Sequence, residues 1–238
     1  AFWREEGHTV TVVSGTRRFV PADLVLVHVN LSLVPREYLD YADRYPRAIN
    51  RRLTDIRKSR VSDQRLRPDD PWDGPVIVKS DLNFGGIPEQ VFDISPLERR
   101  FPALLRLRRA LRARFCPYRV PVGDLDYPVL DGLSSVDAKL WKDPRLVVER
   151  FLPEVEDDAF HLRMVQMLGD RIVCTRLRSD ARVIKARRST HSEEVEPHDE
   201  VFAWRERFGV DYGKIDYVVH DGKPILLDVN KTIGITRS

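Results

Sequence analysis

The sequence predicts a mixed fold in which a small α/β unit precedes strands paired as hairpins. Three observations point there. Over about residues 1–50, short strand-like runs alternate with helix-patterned stretches, the arrangement of an α/β unit. Late in the chain, FHLRMVQML (160–168) and RIVCTRLR (171–178) flank Gly169-Asp170, while KIDYVV (214–219) and PILLDVN (224–230) flank HDGK. Both read as β-hairpins. Between these regions, LERRFPALLRLRRALRARF (97–115) places Leu104, Leu107, Leu111 and Phe115 on one helical stripe.

The remaining elements follow in order. FWREEG reads as the end of a helix closed by Gly7. The chain opens without methionine, so structure upstream is expected. HTVTVV (8–13) and LVLVHVN (24–30) read as strands, the second apolar enough to be buried on both faces. PREYLDYADRY (35–45) reads as a helix with proline at its start, and PRAIN (46–50) as a strand. TDIRKSRVSDQRL (54–66) reads as a helix start or ordered loop with Thr54 as N-cap. RPDDPWDG (67–74) is a turn-rich link, followed by a strand at 75–80 and the NFGG loop. PVGDLDYPVLDGLSS (121–135) is turn-rich, and LVVERFLPE (146–154) begins as a buried strand. ARVIKARRS (181–189) is expected to extend the first hairpin's sheet. HSEEVEPHDEV (191–201) reads as a solvated acidic loop, where His191 and His198 as metal ligands are the weaker reading. FAWRERFG (202–209) is a short helix ended by glycine.

Composition narrows the function. The 238 residues are 42% hydrophobic and 32% charged, with 40 basic against 37 acidic side chains and a net charge of +3. That balance offers no sizeable electrostatic footprint for nucleic acid. No apolar run reaches the roughly 18–20 residues that span a bilayer. The basic 97–115 helix could lie on RNA or a membrane, but a surface helix on its own domain fits the balanced charge better. Cys116 and Cys174 are too far apart in sequence to suggest a disulfide framework or a zinc site, and a reducing cytoplasm is the expected location.

Of the 40 basic residues, 32 are arginine and only eight are lysine. Lys79 ends the apolar run of GPVIVKSDLNFGG, and Lys185 lies within VIKA, so each invites a functional reason. Around Lys185, Arg176, Arg178, Arg182, Arg187 and Arg188 read mostly as a solvated face. Asp216 sits in an otherwise apolar strand, and Asp228 and Asn230, two residues apart, share one face of the returning strand. A plain two-residue turn pairs 216 with 227 and sends Asp228 to the other face. A three-residue loop or one bulge sets Asp216 beside Asp228, and Pro224, lacking an N–H, disfavours the plain turn. Two carboxylates and an amide oxygen on one face suit Mg²⁺. Aspartates salt-bridged at a sheet rim are the even alternative.

Taken together, these segments resemble the ATP-grasp superfamily, mostly ATP-dependent carboxylate–amine or carboxylate–thiol ligases. The resemblance covers most of the chain in the family's order. It implies an α+β ATP-grasp fold, two α+β lobes clamping a nucleotide, behind a truncated α/β pre-ATP-grasp domain at 1–50. The lobes would run 51–148 and 149–238. AIN followed by DIRKS is similar to the segment ending in a nucleotide-contacting lysine, here Lys58. GPVIVKSDLNFGG is similar to the strand–lysine–glycine loop, with Lys79 and the backbone of Phe84, Gly85 and Gly86 on the phosphates. LVVERFLPEVE resembles the adenine hinge: Glu149, Arg150, Phe151 and Leu152 at the purine, Glu156 or Asp157 at the ribose. Arg163 stands where an acyl-phosphate-binding arginine often lies, and Lys185 would contact phosphates or an acidic acceptor. KIDYVVHDGKPILLDVNKTIG resembles the metal hairpin, with Asp216, Asp228 and Asn230 on Mg²⁺ or Mn²⁺.

The resemblance therefore implies an ATP- and Mg²⁺-dependent ligase that activates a carboxylate as an acyl phosphate for an amine or thiol. The carboxylate substrate would be a small molecule or a peptide. A phosphotransferase, or a nucleotide-binding scaffold with a degenerate site, are the alternatives. Three departures bear on them. Asp228 replaces the usual glutamate, Lys231-Thr232-Ile233-Gly234 replaces the usual proline–glycine turn, and the chain stops before any C-terminal helix.

Overall fold

The computed structural model describes residues 2–115 and 127–233. Cys116, residues 121–126 of the turn-rich stretch, Gly234 and the side chain of Phe115 fall outside the described part.

Helix α1 (Phe2–Glu5) ends before Gly7, whose φ of 86° is the left-handed conformation that closes a helix. The strand expected at 8–13 does not form; HTVTVV is largely exposed and joins no β-ladder among the described residues. LVLVHVN contributes only β1 (Val25–Leu26), which pairs in parallel with β2 (Ala48–Ile49) across helix α2 (Arg36–Ala42). With one neighbour strand only two residues long, the apolar run has nothing to continue its ladder. It buries Val27 against Val34 and Ala42 instead.

Helix α3 (Lys58–Val61) starts three residues later than a Thr54 cap would place it. Its first N–H groups go to Asp81: Lys58 N donates to the Asp81 carbonyl at 2.9 Å and Ser59 N to Asp81 Oδ1 at 2.7 Å. A distant aspartate thus satisfies the orphan donors of the first turn, so Thr54 is not required there. Strand β3 (Val76–Ser80) runs into the NFGG turn and helix α4 (Ile87–Phe92). The stretch expected as one helix at 97–115 is two, α5 (Pro96–Arg100) and α6 (Pro102–Phe115). Pro102 disfavours helical geometry at Phe101, which sits at φ −125° and ψ 83°. Strand β4 (Val129–Leu130), helix α7 (Ala138–Trp141) and strand β5 (Leu146–Arg150) follow, with β3 central in the order β4-β3-β5. Val76, Val78, Leu146 and Val148 form the core of this sheet.

The larger sheet comprises β6 (Glu154–Glu156), β7 (Ala159–Leu168), β8 (Arg171–Ser179), β9 (His191–Val195), β10 (Tyr212–His220) and β11 (Lys223–Asn230). Its order is β11-β10-β7-β8-β9, with β6 on β7. Both expected hairpins form. Residues 181–189 do not extend this sheet, however; the edge strand is drawn from the expected acidic loop. HSEEV alternates along β8, setting Glu193 opposite Arg176 at 3.5 Å. Its polar composition is that of an edge strand facing water. Helix α8 (Glu200–Phe208) packs Val201 and Trp204 on Val165, Ile215, Tyr217 and Val229. Gly209, at φ 67°, ends it as expected.

That packing fixes the register of the last hairpin. Ile215, Tyr217 and Val229 are fully buried on the α8 face. Each such side chain contributes about 1.5–3 kcal/mol of burial. A one-residue slip would exchange them for Lys214, Asp216 and Asp228, so the core pins the polar face as firmly as its own.

Candidate nucleotide and metal site

Asp216 and Asp228 stand directly opposite each other in the β10–β11 ladder, and Asn230 faces Lys214. Near the turn the pairing is that of a two-residue loop, His220 with Lys223, through Asp221 (φ 49°) and Gly222 (φ 74°). The ladder shifts by one residue between Asp216 and Tyr217, where Leu227 is extra on β11. The hairpin therefore combines a two-residue turn with a bulge, although Pro224 disfavours the tight turn. Pro224 is accommodated because its pair with Val219 follows the hydrogen-bonded His220–Lys223 pair and β11 is an edge strand, so no ladder bond needs a Pro224 N–H. Gly213 completes the geometry: a Cβ there would lie 2.4 Å from the Asn230 carbonyl oxygen.

Two lysines neutralise the two aspartates. Lys58, 6% exposed at its side chain, places Nζ 2.5 Å from Asp228 Oδ1, and Lys214 Nζ lies 2.8 Å from Asp216 Oδ2. Burial opposes the charge on each lysine, but the facing carboxylate outweighs it and holds both ammoniums above the usual lysine pKa. Asp216 is held above the usual carboxylate range, by burial first and by repulsion from Asp228, against the pull of Lys214.

The donor set fits a hard divalent cation. Asp216 Oδ1 is buried and has no hydrogen-bond partner among the described residues. Asn230 sits beside the two aspartates, its Nδ2 donating to Asp228 Oδ2 at 3.1 Å and its Oδ1 accepting from Asn83. Two carboxylates and one amide leave most of an octahedron for phosphate oxygens. Among the described residues no third His, Cys, Asp or Glu joins them.

The glycine loop closes over this face. Asn83 Oδ1 accepts from Lys58 Nζ at 2.7 Å, and Asn83 Nδ2 donates to Asn230 Oδ1 at 2.9 Å. The loop thereby touches the hairpin across 147 residues of sequence. Phe84, Gly85 and Gly86 all have positive φ, at 50°, 64° and 72°. The two glycines take this conformation without strain, whereas Phe84 does not. Phe84 is 63% exposed.

Lys79 and Glu149 form a second buried pair, 2.7 Å apart across β3 and β5. Glu149 Oε1 is buried without a partner among the described residues. Electrostatic influence of Glu149 reaches Lys58, so the two ion pairs adjoin. Further along the expected hinge, the Phe151 N–H is already bonded to the Pro75 carbonyl at 2.9 Å, and Arg150 stacks over Trp72. Leu152 is half-buried beside them. Glu156 is exposed and bonded by Arg176, and Asp157 occupies a left-handed turn position at φ 49°.

Arg163 does not join the carboxylate face. It pairs with Tyr217 in the β7–β10 ladder, the opposite side from Asp216. There Arg163 and Arg176 both bind Glu154, at 2.9 and 3.1 Å. Lys185 places Nζ 4.9 Å from the Tyr127 ring centre, and Tyr127 in turn influences Lys58. It therefore borders the cluster. His198 uses Nδ1 to accept the Glu200 N–H at α8, so it serves the fold rather than a metal.

Four residues that shape this region, three at the site and Glu154 on the opposite face, were not assigned a role from the sequence. Lys214 was legible, since it lies two positions before Asp216 in a strand. Asn83 and Glu154 gave no local signal; each acts through partners 147 and 65 residues away. Lys231 is the fourth. It is 2% exposed with Nζ unpartnered among the described residues, and burial lowers its pKa to about 8 despite Asp55 and Glu89 nearby.

The fold is thus a mixed α+β protein with a lysine-bound carboxylate hairpin facing a glycine loop. Comparison with solved structures matches the chain to ATP-grasp ligases. It is similar to D-alanine–D-alanine ligase from Bacillus anthracis at a TM-score of 0.38 and 14% identity, over 68% of this chain and 45% of that one. It is also similar to the RiPP-associated ATP-grasp ligase of Chryseobacterium gregarium, solved with ADP and a leader and core peptide. There the TM-score is 0.32 and the identity 12%, over 47% of this chain and 37% of that one. A third match is the macrocyclase MdnC of Microcystis aeruginosa bound with precursor peptide MdnA, at a TM-score of 0.33 and 15% identity, over 47% and 36%. The chain spans less than half the length of each. No protein-family model and no curated protein matches it. No helix of the described residues is long and apolar enough to cross a membrane.

Proposed function

We propose that this chain binds ATP with Mg²⁺ between the glycine-loop lobe (51–148) and the hairpin lobe (149–238) of an ATP-grasp fold. Residues 1–50 would form part of a preceding α/β domain. The observation that carries the reading is the meeting of Asn83 and Lys58 with Asp228 and Asn230. It aims a strained glycine loop, two ammoniums and two carboxylates at one place. Phosphates need donors, and Lys58, Lys214 and the loop N–H groups of Phe84, Gly85 and Gly86 supply them. Asp216, Asp228 and Asn230 would hold the Mg²⁺, which would offset charge on the phosphate oxygens. Lys185 borders the same charges. Lys79 orients Glu149, and Glu149 Oε1 is an acceptor suited to the amino group of adenine.

The chemistry best served is activation of a carboxylate. Its oxygen attacks the γ-phosphorus, the bond to ADP breaks, and an amine or thiol then displaces phosphate from the acyl carbon. This chain's part is to position and to neutralise charge. The test is ADP release over a panel of acids with hydroxylamine present. The reading predicts acid-dependent ADP release with formation of a hydroxamate. ADP release with a stable phosphorylated product would instead make the protein a phosphotransferase. Tight nucleotide binding without any turnover would make it a scaffold.

A further inference from the structure

Lys58, Asn83, Asn230 and Asp228 close a ring of hydrogen bonds across the carboxylate face. Lys58 Nζ donates to Asn83 Oδ1 at 2.7 Å and to Asp228 Oδ1 at 2.5 Å. Asn83 Nδ2 donates to Asn230 Oδ1 at 2.9 Å, and Asn230 Nδ2 donates to Asp228 Oδ2 at 3.1 Å. The ring can run in one direction only. An ammonium has no acceptor, a carboxylate has no donor, and a primary amide has one end of each kind. Lys58 therefore claims the oxygen of Asn83, which turns the Asn83 NH₂ to Asn230 and the Asn230 NH₂ to Asp228. Reversing either amide alone sets donor against donor on one side and acceptor against acceptor on the other.

This order is the wrong one for a metal. Asp228 is taken by Lys58, and Asn230 turns its NH₂ rather than its oxygen toward the carboxylate. A divalent cation on Asp228 repels the Lys58 ammonium, and it takes Asn230 through oxygen only. With Asn230 reversed, Asn83 must offer its own oxygen to the Asn230 NH₂, and its NH₂ then faces Lys58. Lys58 thus loses both acceptors in one rearrangement. A buried ammonium without an acceptor is costly, and phosphate oxygens are the acceptors that the proposed nucleotide brings. The backbone of Asn83 is anchored separately, its N–H donating to Ser32 Oγ at 2.9 Å, so the amide can turn while the loop stays.

We infer that Lys58 exchanges Asp228 for the nucleotide phosphates when the metal enters, and that Asn83 is the positioning residue linking the two moves. This deepens the proposed function, whose metal and nucleotide assignments it rests on, by naming what regulates the site. Metal alone must break the ring with no phosphate to receive Lys58, so it binds weakly. Metal and nucleotide together satisfy every member, so each strengthens the binding of the other.

The test is calorimetric titration of Mn²⁺ into the whole chain, without nucleotide and with a non-hydrolysable ATP analogue, for the parent, Asn83→Ala and Lys58→Met. The parent should bind Mn²⁺ about tenfold or more weakly without the analogue than with it. Asn83→Ala frees Asn230 to turn its oxygen to the metal, and Lys58→Met removes the competing cation. Each is expected to tighten Mn²⁺ binding without the analogue about tenfold, the worth of a charged hydrogen bond. The gain from the analogue should shrink in both. Removing a residue that merely supported the fold would leave Mn²⁺ affinity unchanged or lower it. Asn83→Ala leaves the Lys58–Asp228 pair intact, so it carries the test even where Lys58→Met does not fold. Unchanged or weaker Mn²⁺ binding in the variants, with the parent still binding Mn²⁺ and the analogue together, overturns the inference alone. A rise in Lys58→Met with none in Asn83→Ala overturns the part given to Asn83. A parent that binds neither Mn²⁺ nor the analogue overturns the proposed function, and the inference with it.

Discussion

Asp216 faces Asp228 because Leu227 is an extra residue in β11. Without that bulge the two-residue turn would place Asp216 opposite Leu227 and send Asp228 to the α8 side. Deleting Leu227 should close the bulge into a regular ladder that keeps Asp216 opposite Asp228 and Ile215 opposite Val229. The expected outcome is retained Mg²⁺-dependent nucleotide binding, read by calorimetry. Loss of the Mg²⁺ dependence in that deletion would show that the facing of the two aspartates alone does not make the site.

The Lys79–Glu149 pair has side chains only 10% and 2% exposed. Removing one partner leaves a buried charge, which costs about 3–5 kcal/mol, while replacing both by neutral groups costs much less. Lys79→Met should thus destabilise the chain more than the double variant Lys79→Met/Glu149→Gln. Chemical denaturation of the two variants checks this. The reverse order would mean that the pair is not buried in solution.

Glu154 accepts from Arg163, Arg176 and the Val219 N–H. It locks β6, β7, β8 and β10 on the face away from Asp216. Glu154→Ala should lower stability by about 2–4 kcal/mol, since it strands two half-buried arginines and an N–H. The Kd for nucleotide should change little. A large loss of affinity at unchanged stability would return Arg163 to the phosphate site.

Asp55 supplies a pH signature. Burial raises its pKa, but the Arg57 hydrogen bonds outweigh this and hold it below the usual carboxylate value. A lowered folded pKa means that stability is present above the unfolded value, near 3.9, and is lost as pH falls through the folded one. Asp55→Asn should flatten the acid limb of the stability–pH curve below about pH 4 and leave its shape near neutrality unchanged. An unchanged acid limb would contradict the pairing.

Much of the site was legible where chemistry and local period coincide. Asp216, Asp228 and Asn230 share a face by simple alternation, and Lys79 was conspicuous as a lysine ending an apolar run. The bulge was legible only as one of two alternatives, because the choice depends on the α8 core. Arg163 fails for a related reason: alternation along β7 places it with Val165 and Met167, on the Glu154 side. Thr54 looked like a cap because cap signals are local, while the group that satisfies α3 is Asp81, 22 residues away from Ser59. The edge strand β9 was hidden by its acidity. HTVTVV has strand composition but no strand partner among the described residues, and composition cannot supply one.

Mg²⁺-dependent binding of a non-hydrolysable ATP analogue, compared between the parent chain and Asp216→Asn, decides whether the carboxylate hairpin holds a metal-bound nucleotide. The parent is expected to bind more tightly with Mg²⁺ than without it, and Asp216→Asn to lose this gain while remaining folded. Absence of binding to the parent, or an identical Mg²⁺ gain in the variant, would show that the hairpin does not hold one.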